Sequence, residues 1–567
     1  MKNRTRLTHR ATGALALAAA LALAAGCSTS AADTSASSQG SSSQSASAQS
    51  SSSSSSGSNA AWTTISSQTA SASTGASAAD ILGANAEVTS ASTEADDAGT
   101  TDTSGATTIA LSDSSAKVSG SGASAEGSTV TITEAGTYVV SGSSSDGQIV
   151  VAAPDAEVRI VLDGVSLTNK DAPAIDVQDA GEAIVVLAKG STNTLADGSS
   201  YADTSSEAPT AALFSSDTLT LTGTGSLSVT GSYKDGISSK NGLIITGTPT
   251  IEVNAADDGI RGKDYLAITS GTVTVTAGGD ALKSSEDNDE TKGFVSLGKA
   301  ILTLTSDDDA IAAVTDVVVD GTTLSITAGG GQANAVPEEQ APPGQDTQDS
   351  QAEDTTPSPK GINAGVSYTQ DSGTVTINSA DEGIQAAFVN VNGGELSIAA
   401  GDDGINASNG DYVIEGHESA DSESDDGSVL TISGGQVEVS FASSDGLDSN
   451  GSAYVTGGTV VVSGQAGAMD GSVDANGETQ LVGVTGSPSV TAGDTLTITD
   501  ASGKETTVDV NFTASAITVL GLTEGEEYTV SSTSGGSSTG TAAALSSGMG
   551  GPMGGQGGPG GQPPSGS

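Results

Sequence analysis

Four places in the chain set two acidic residues side by side, just before a small residue and an aliphatic one. They are Asp257-Asp258-Gly259-Ile260, Asp308-Asp309-Ala310-Ile311, Asp381-Glu382-Gly383-Ile384 and Asp402-Asp403-Gly404-Ile405. Single-acid versions stand at Lys234-Asp235-Gly236-Ile237, Gly279-Asp280-Ala281-Leu282 and Ser444-Asp445-Gly446-Leu447. Gathered carboxylates suit a hard cation, and Ca²⁺ fits because a turn adds backbone carbonyls to them. Zinc does not fit a chain whose only histidines are His9 and His417. The competing reading is turn chemistry, with Asp bonding the following amides and Gly taking positive φ. That accounts for one acid per turn and leaves the second unexplained. The expected metal ligands are therefore Asp235, Asp257, Asp258, Asp280, Asp308, Asp309, Asp381, Glu382, Asp402, Asp403 and Asp445.

The spacing of these turns dictates the elements that must carry them. Steps of 23, 22 and 21 residues separate Asp235 from Asp258, Asp258 from Asp280 and Glu382 from Asp403. Longer steps hold insertions: "SSEDNDETKG" near 290, a Pro/Gln/Glu-rich stretch at 331–359 and an acidic one at 416–428. Lys360-Gly361-Ile362 restores the register with Lys where acid is expected. Each unit reads as turn, short strand, Gly-rich turn, short strand, as in "YLAITSGTVTVTAGG". The period-two alternation of Ser128–Val140, Ala156–Leu167 and Asp217–Gly231 marks further strands.

A unit of about 22 residues cannot close a core alone and must stack on its neighbours. The expected fold is all-β: a right-handed parallel β-helix, or solenoid, over 106–476. Ile260, Leu282, Ile311, Ile384, Ile405 and Leu447 would form an inward aliphatic ladder. A β-propeller needs about twice this repeat length, and the nonapeptide repeat of Ca²⁺-binding rolls does not occur.

Stacked coils lie about 4.8 Å apart. Neighbouring aspartates in a column would then repel by up to about 3 to 4 kcal/mol at an effective dielectric near 20. Solvent, bound metal or cationic side chains must offset this. Lys234, Lys240, Arg261, Lys263 and Lys283 gather beside one part of the column. Arg261 and Lys283 each directly follow the aliphatic residue, so they should stack on adjacent coils. They either neutralise aspartates or, with Lys234 and Lys263, contact a polyanionic ligand such as a uronate chain beside bound metal.

Sixty-nine acidic residues against seventeen basic ones give a net charge of −52. This excludes nucleic acid and an anionic membrane surface as direct partners. Residues 1–27 resemble a bacterial lipoprotein signal: a basic start, an apolar run from Ala11 to Ala25 too short to span a membrane, and the only cysteine, Cys27. Cys27 would be the lipidated residue and the only membrane attachment, placing the protein on the extracellular face of the membrane or on the cell surface. Residues 28–105 are Ser/Ala/Thr-rich and read as a disordered tether with Trp62 incidental to it. Residues 477–535 read as a small β module and 536–567 as a disordered tail.

The stretches "GTYVVSG", "VRIVLDGVSL", "AIVVLAKGSTNTLADGSSY", "GSYKDGISSK" and "ADDGIRGKDYLAITSGTVTVTAGGDALKSS" resemble the cellulose- and pectin-binding β-helix family of bacterial surface proteins. Its members are called carbohydrate-binding domain-containing proteins and resemble pectate-lyase-type polysaccharide lyases in fold. The likeness covers about 107–475, with "DDGIRGKD" and "GSYKDGISSK" most specific, and the module at 480–535 is similar to the region that ends these proteins. It implies a right-handed β-helix, bound Ca²⁺ and binding of plant-type polysaccharide without demonstrated cleavage in general. Lys360, Ala310 and Ala281 depart from the Asp-Asp-Gly pattern, so those coils lack full ligand sets.

The expected function is non-catalytic, calcium-stabilised polysaccharide binding by a monomer, the glycan being acidic and plant-type, such as pectin, or cellulose. Tyr233, Tyr265, Phe294, Phe388, Tyr412 and Phe441 share no repeat position. An acidic glycan bridged by Ca²⁺ is therefore physically easier than cellulose. One alternative is a Ca²⁺-dependent lyase in which Arg261, Lys263 or Lys283 removes the proton α to a uronate carboxylate. Another is a structural or adhesive stalk.

Overall fold

The computed structural model describes residues 61–85, 102–335, 358–420, 424–464, 471–486 and 488–545. Cys27, with the rest of the leader, lies outside them. The described chain is all-β, and successive coils pair in parallel through a continuous sheet system. Equivalent residues stack as Ile237, Ile260, Leu282, Ile311, Ile362, Ile384, Ile405 and Leu447. All are fully buried. This is the expected aliphatic ladder, and it continues toward the N-terminus through Leu213, Ile175 and Ile149. Branched aliphatics recur there because they pack tightly on a pleated sheet whose neighbours repeat them.

Each coil has three strand stretches where the sequence pattern suggests two. After Ile260–Gly262, the strand Tyr265–Ala277 bends at Gly271 without ending. Gly271 has φ +102°, and Gly223, Gly321 and Gly373 take 106°, 90° and 104° at the corresponding bends. Positive φ is thus taken by glycines at this bend, and not by Gly236, Gly259, Gly383, Gly404 or Gly446 in the acidic corner. In that corner, Gly259 is held by close approach instead. A Cβ there would lie 2.3 Å from Val275 Cγ1 and 2.6 Å from the Ala281 carbonyl oxygen. The turn reading of this glycine is corrected accordingly: it lets coils touch.

Part of the stretch read as a tether is folded. Thr64–Ile65 pairs in parallel with Val413–Ile414, and two short helices follow, α1 (Ser67–Ser73) and α2 (Ala78–Ala84). Ser66 caps α1 by accepting from Thr69 N–H, and Ser77 with Asp80 forms a capping box on α2. Ile65 and Ile81 are buried against the solenoid. Helices this short are marginal alone, so packing of these few apolar residues is what orders the strap.

At the other end, Asp494–Thr499, Glu505–Val510, Glu527–Ser532 and Gly536–Thr541 form a four-stranded antiparallel sheet. Leu496, Ile498, Val508 and Val530 are in its own core. The module therefore runs past 535, into residues read as tail, and Ala543–Ala544 pairs with Val482–Gly486.

Gly259→Ala tests the close-approach reading. The added methyl must displace Val275 or the neighbouring coil, so a loss of about 1–3 kcal/mol is expected in thermal or denaturant unfolding.

Candidate functional site

The doubled acids divide between inside and outside. Asp258, Asp309, Glu382 and Asp403 are buried, whereas Asp257 and Asp308 are exposed and Asp381 and Asp402 half-buried. The two acids of a pair therefore do not share a side, because successive side chains of extended backbone point to opposite sides. Asp235 and Asp280 share the buried position, Asp445 is half-buried there, and Lys360 takes it in its coil.

The buried carboxylates make a relay between coils. Asp258 Oδ1 accepts from Asp280 N–H at 3.2 Å and Asp309 Oδ1 from Lys360 N–H at 2.8 Å. Asp403 Oδ1 accepts from Asp445 N–H at 2.8 Å, and Asp445 Oδ1 from Gly471 N–H at 2.7 Å. In each case the equivalent corner of the next coil donates. An ionised acceptor makes such a bond stronger than a neutral one.

Cations balance the N-terminal half of this column. Lys283 Nζ lies 2.6 Å from Asp280 and 3.3 Å from Asp258, and Arg261 lies 3.7 Å from Asp258. Arg261 also donates twice to Ser285 Oγ, at 3.1 and 3.0 Å. Arg261 and Lys283 do sit in register on adjacent coils. Lys263 pairs with Glu286 at 2.8 Å. Lys234 lies over the Tyr233 ring at 5.8 Å, and that ring stacks on Tyr201.

Burial pushes Asp235 up to about 7, with Asp258 adding to it, and pushes Asp280 up to about 7 against the pull of Lys283. Burial also raises Asp309 to about 6, opposed by bonds from Asn363 and Lys360. Against its own burial, Lys283 is held above the usual lysine range by Asp280 and Asp258. Asp403 is pushed well up by burial and then by Asp448 and Asp402.

Among the described residues, two groups of acids could hold a metal ion: Asp381, Glu382 and Asp402, and Asp445, Asp448 and Asp474. The first already contains the Lys360 ammonium, 2.8 Å from Glu382 and 3.1 Å from Asp381. The second is different. Burial and then the carboxylates of Asp445 and Asp474 push Asp448 up to about 7.

Asp448 belongs to the outward column one residue past the aliphatic ladder. That column reads Arg261, Lys283, Ala312, Asn363, Gln385, Asn406 and Asp448. Asp474 extends it, since Leu447 bridges Val473 in parallel. It therefore grades from cations through amides to carboxylates. A cleft of about 550 Å³ opens over its middle, lined by Lys283, Asn363, Gln385, Ser408, Asn409 and Tyr412 among others. Amides and hydroxyls around one aromatic ring can both donate to and accept from a hydroxylated ligand.

Sequence reasoning found the cations of this column and missed Asn363, Gln385, Asp448, Asp474 and Tyr412. All but Tyr412 carry a readable signal: each follows an aliphatic residue at the repeat position of Arg261. Tyr412 has no repeat position, because it stands on a loop after the strand Ile405–Ala407.

Residues 126–404 match the family model of carbohydrate-binding domain-containing proteins. A protein of that description from Acetivibrio thermocellus is 32% identical over 204 residues, 35% of this chain and 71% of the relative. The chain belongs to this family. A polysaccharide lyase-like protein from C. thermocellum, solved as a gadolinium derivative, has 31% identity and a TM-score of 0.38. That likeness covers 40% of this chain and 92% of the solved one. The span matched to the carbohydrate-binding family contains Lys283, Asn363 and Gln385 and stops before Asn409, Tyr412, Asp448 and Asp474.

Asp403 separates the two roles of the acid column. Its folded-state pKa is raised, so the carboxyl favours the fold when protonated and loses that contribution as pH rises through the folded value. Asn keeps an acceptor for Asp445 N–H without charge. Without added divalent cation, Asp403→Asn should match the wild type near about pH 4 and melt higher near about pH 8. Asp403→Ala should lose about 1–3 kcal/mol at both, because it leaves the half-buried Asp445 amide without its acceptor.

Proposed function

We propose that the protein binds polysaccharide without cleaving it, along the graded column and cleft of a right-handed β-helix. The observation that carries this is the cleft: amide and hydroxyl side chains in register around Tyr412. A glycan chain lying along the solenoid axis would meet a new coil about every 4.8 Å. Right-handed winding is the sense that parallel strand connections overwhelmingly take.

We assign calcium to Asp445, Asp448 and Asp474. Their oxygens lie within 4.8 Å of one another, and Ca²⁺ prefers carboxylate and carbonyl ligands. Asn406 stacks on Asp448 in the register, and its Oδ1 is buried without a hydrogen-bond partner. Bound there, the ion would neutralise like charges at the column's acidic end. An acidic glycan such as pectin suits a column with cations at one end and a metal at the other. Lipidation at Cys27 would hold the protein at the extracellular face of the membrane.

The charge pairing argues against the lyase reading. A proton-abstracting base needs a pKa near the working pH, whereas two carboxylates hold Lys283 upward. Lys263 is bound to Glu286, and Arg261 to Ser285 and Asp258.

Calorimetry with polygalacturonate, pectin and cello-oligosaccharides, with calcium and with chelator, tests the reading. Binding of a glycan with no ultraviolet-absorbing unsaturated product is the expected outcome. Binding to none of them would leave a structural stalk, and product release would establish a lyase. Calcium at about 100 times its dissociation constant should stabilise the wild type by about 2.7 kcal/mol. Asp448→Asn with Asp474→Asn should abolish that gain in melting temperature. A gain that persists would remove the site.

A further inference from the structure

We propose that the N-terminal strap is a working part of the cleft: Trp62 is a positioning residue that holds Tyr412 as the ring against which a sugar face packs. The inference rests on the polysaccharide reading and adds to it a specific aromatic wall and the element that sets it.

Tyr412 is the aromatic residue lining the cleft. Its loop gives it little support, beyond its own N–H donating to the Asn409 carbonyl at 2.9 Å. Its ring rests instead over Gly365, where a Cβ would come within 2.4 Å of Tyr412 Cε2. The other support is Trp62, whose ring centroid is 5.1 Å away at a tilt of 47°.

Trp62 joins two loops that border the cleft. Its N–H donates to the Asp287 carbonyl at 2.5 Å, on the insertion that follows the lining residue Ser285, while its ring meets the 409–412 loop. The following residues lock that arrangement. Val413 N–H donates to the Thr63 carbonyl and Glu415 N–H to Ile65, both at 2.9 Å. Ser67 N–H donates back to Glu415 Oε2 at 2.8 Å. Ile65 is fully buried with Val366, Phe388 and Ile414. Farther along, Asn390 donates to the Ser73 carbonyl and Asn392 to Ala76, both at 2.8 Å.

Sugar rings pack an apolar face on aromatic rings, and an anchor already held in place avoids the entropy of ordering it on binding. Gly365 supports one side of Tyr412, and docking of the strap adds Trp62 as a second support. The wall of the cleft is thus supplied from a segment far earlier in the chain.

The test uses the full chain and polygalacturonate, pectin and cello-oligosaccharides as probes. Trp62→Ala should weaken binding roughly tenfold with little change in the melting temperature of the solenoid, and Trp62→Phe should recover most of the loss. Tyr412→Ala should match Trp62→Ala, and combining the two should cost no more than either alone. Trp62 is the single tryptophan, so its emission reports docking directly: half-buried in the wild type, and red-shifted from that position in Ile65→Asp. Undiminished binding by Trp62→Ala overturns the proposal, as does a wild-type spectrum typical of free tryptophan. A wild type that binds none of the probes removes the polysaccharide reading and this inference with it, whereas loss in the variants alone supports both.

Discussion

Everything in this protein depends on one stacking constraint: equivalent residues of successive coils must superpose at the spacing of hydrogen-bonded strands. A fully buried aliphatic ladder supplies the hydrophobic part of that register. The corner carboxylates supply the directional part, because buried Asp258, Asp309 and Asp403 and half-buried Asp445 each receive an amide from the following coil. A slip of one residue would turn the ladder outward and leave the carboxylates buried without partners. The cost of this arrangement is electrostatic, since burial raises the carboxyls of Asp309 and Asp403, which the relay needs.

The chain meets that cost differently along its length. Arg261 and Lys283 serve Asp258 and Asp280, and Lys360 occupies the acid position itself and reaches Asp381 and Glu382. Beyond Asn406 the outward column becomes acidic at Asp448 and Asp474. The lysines near the cleft are therefore tied to internal charges, and the recognition surface is built chiefly from amides and hydroxyls. Of the departures from the Asp-Asp-Gly pattern, Lys360 is a place where charge is managed.

The ladder, the parallel stacking and the pairing of Arg261 with Lys283 were legible in the sequence, because a repeat transmits its register wherever its corner can be recognised. The inward burial of the second acid was not legible, since adjacency in sequence says nothing about which side of the corner each side chain takes. Composition hid the strap as well. Its Ser, Ala and Thr match a tether, and only Trp62, Ile65, Ile81 and the Ser77–Asp80 capping box distinguish it. Tyr412 lay outside every periodic signal, because loops between coils are free to vary where the ladder is not. The end of the C-terminal module was missed for a similar reason: Gly536–Thr541 carries small residues, and its strand identity comes from pairing with Glu527–Ser532.

The carboxylate relay also has a polarity. In every observed link the acceptor belongs to the earlier coil and the donor to the later one. A polypeptide is made from its N-terminus, so at these four junctions the emerging coil meets a neighbour whose carboxylate is already in place to receive it. The growing end of the stack is then a template with a free acceptor, and assembly can proceed as one-dimensional addition in the direction of synthesis. Growth in that direction finishes where Asp445 receives Gly471, beside the antiparallel pairing of Thr459–Gly464 with Ile517–Leu520 that closes the stack.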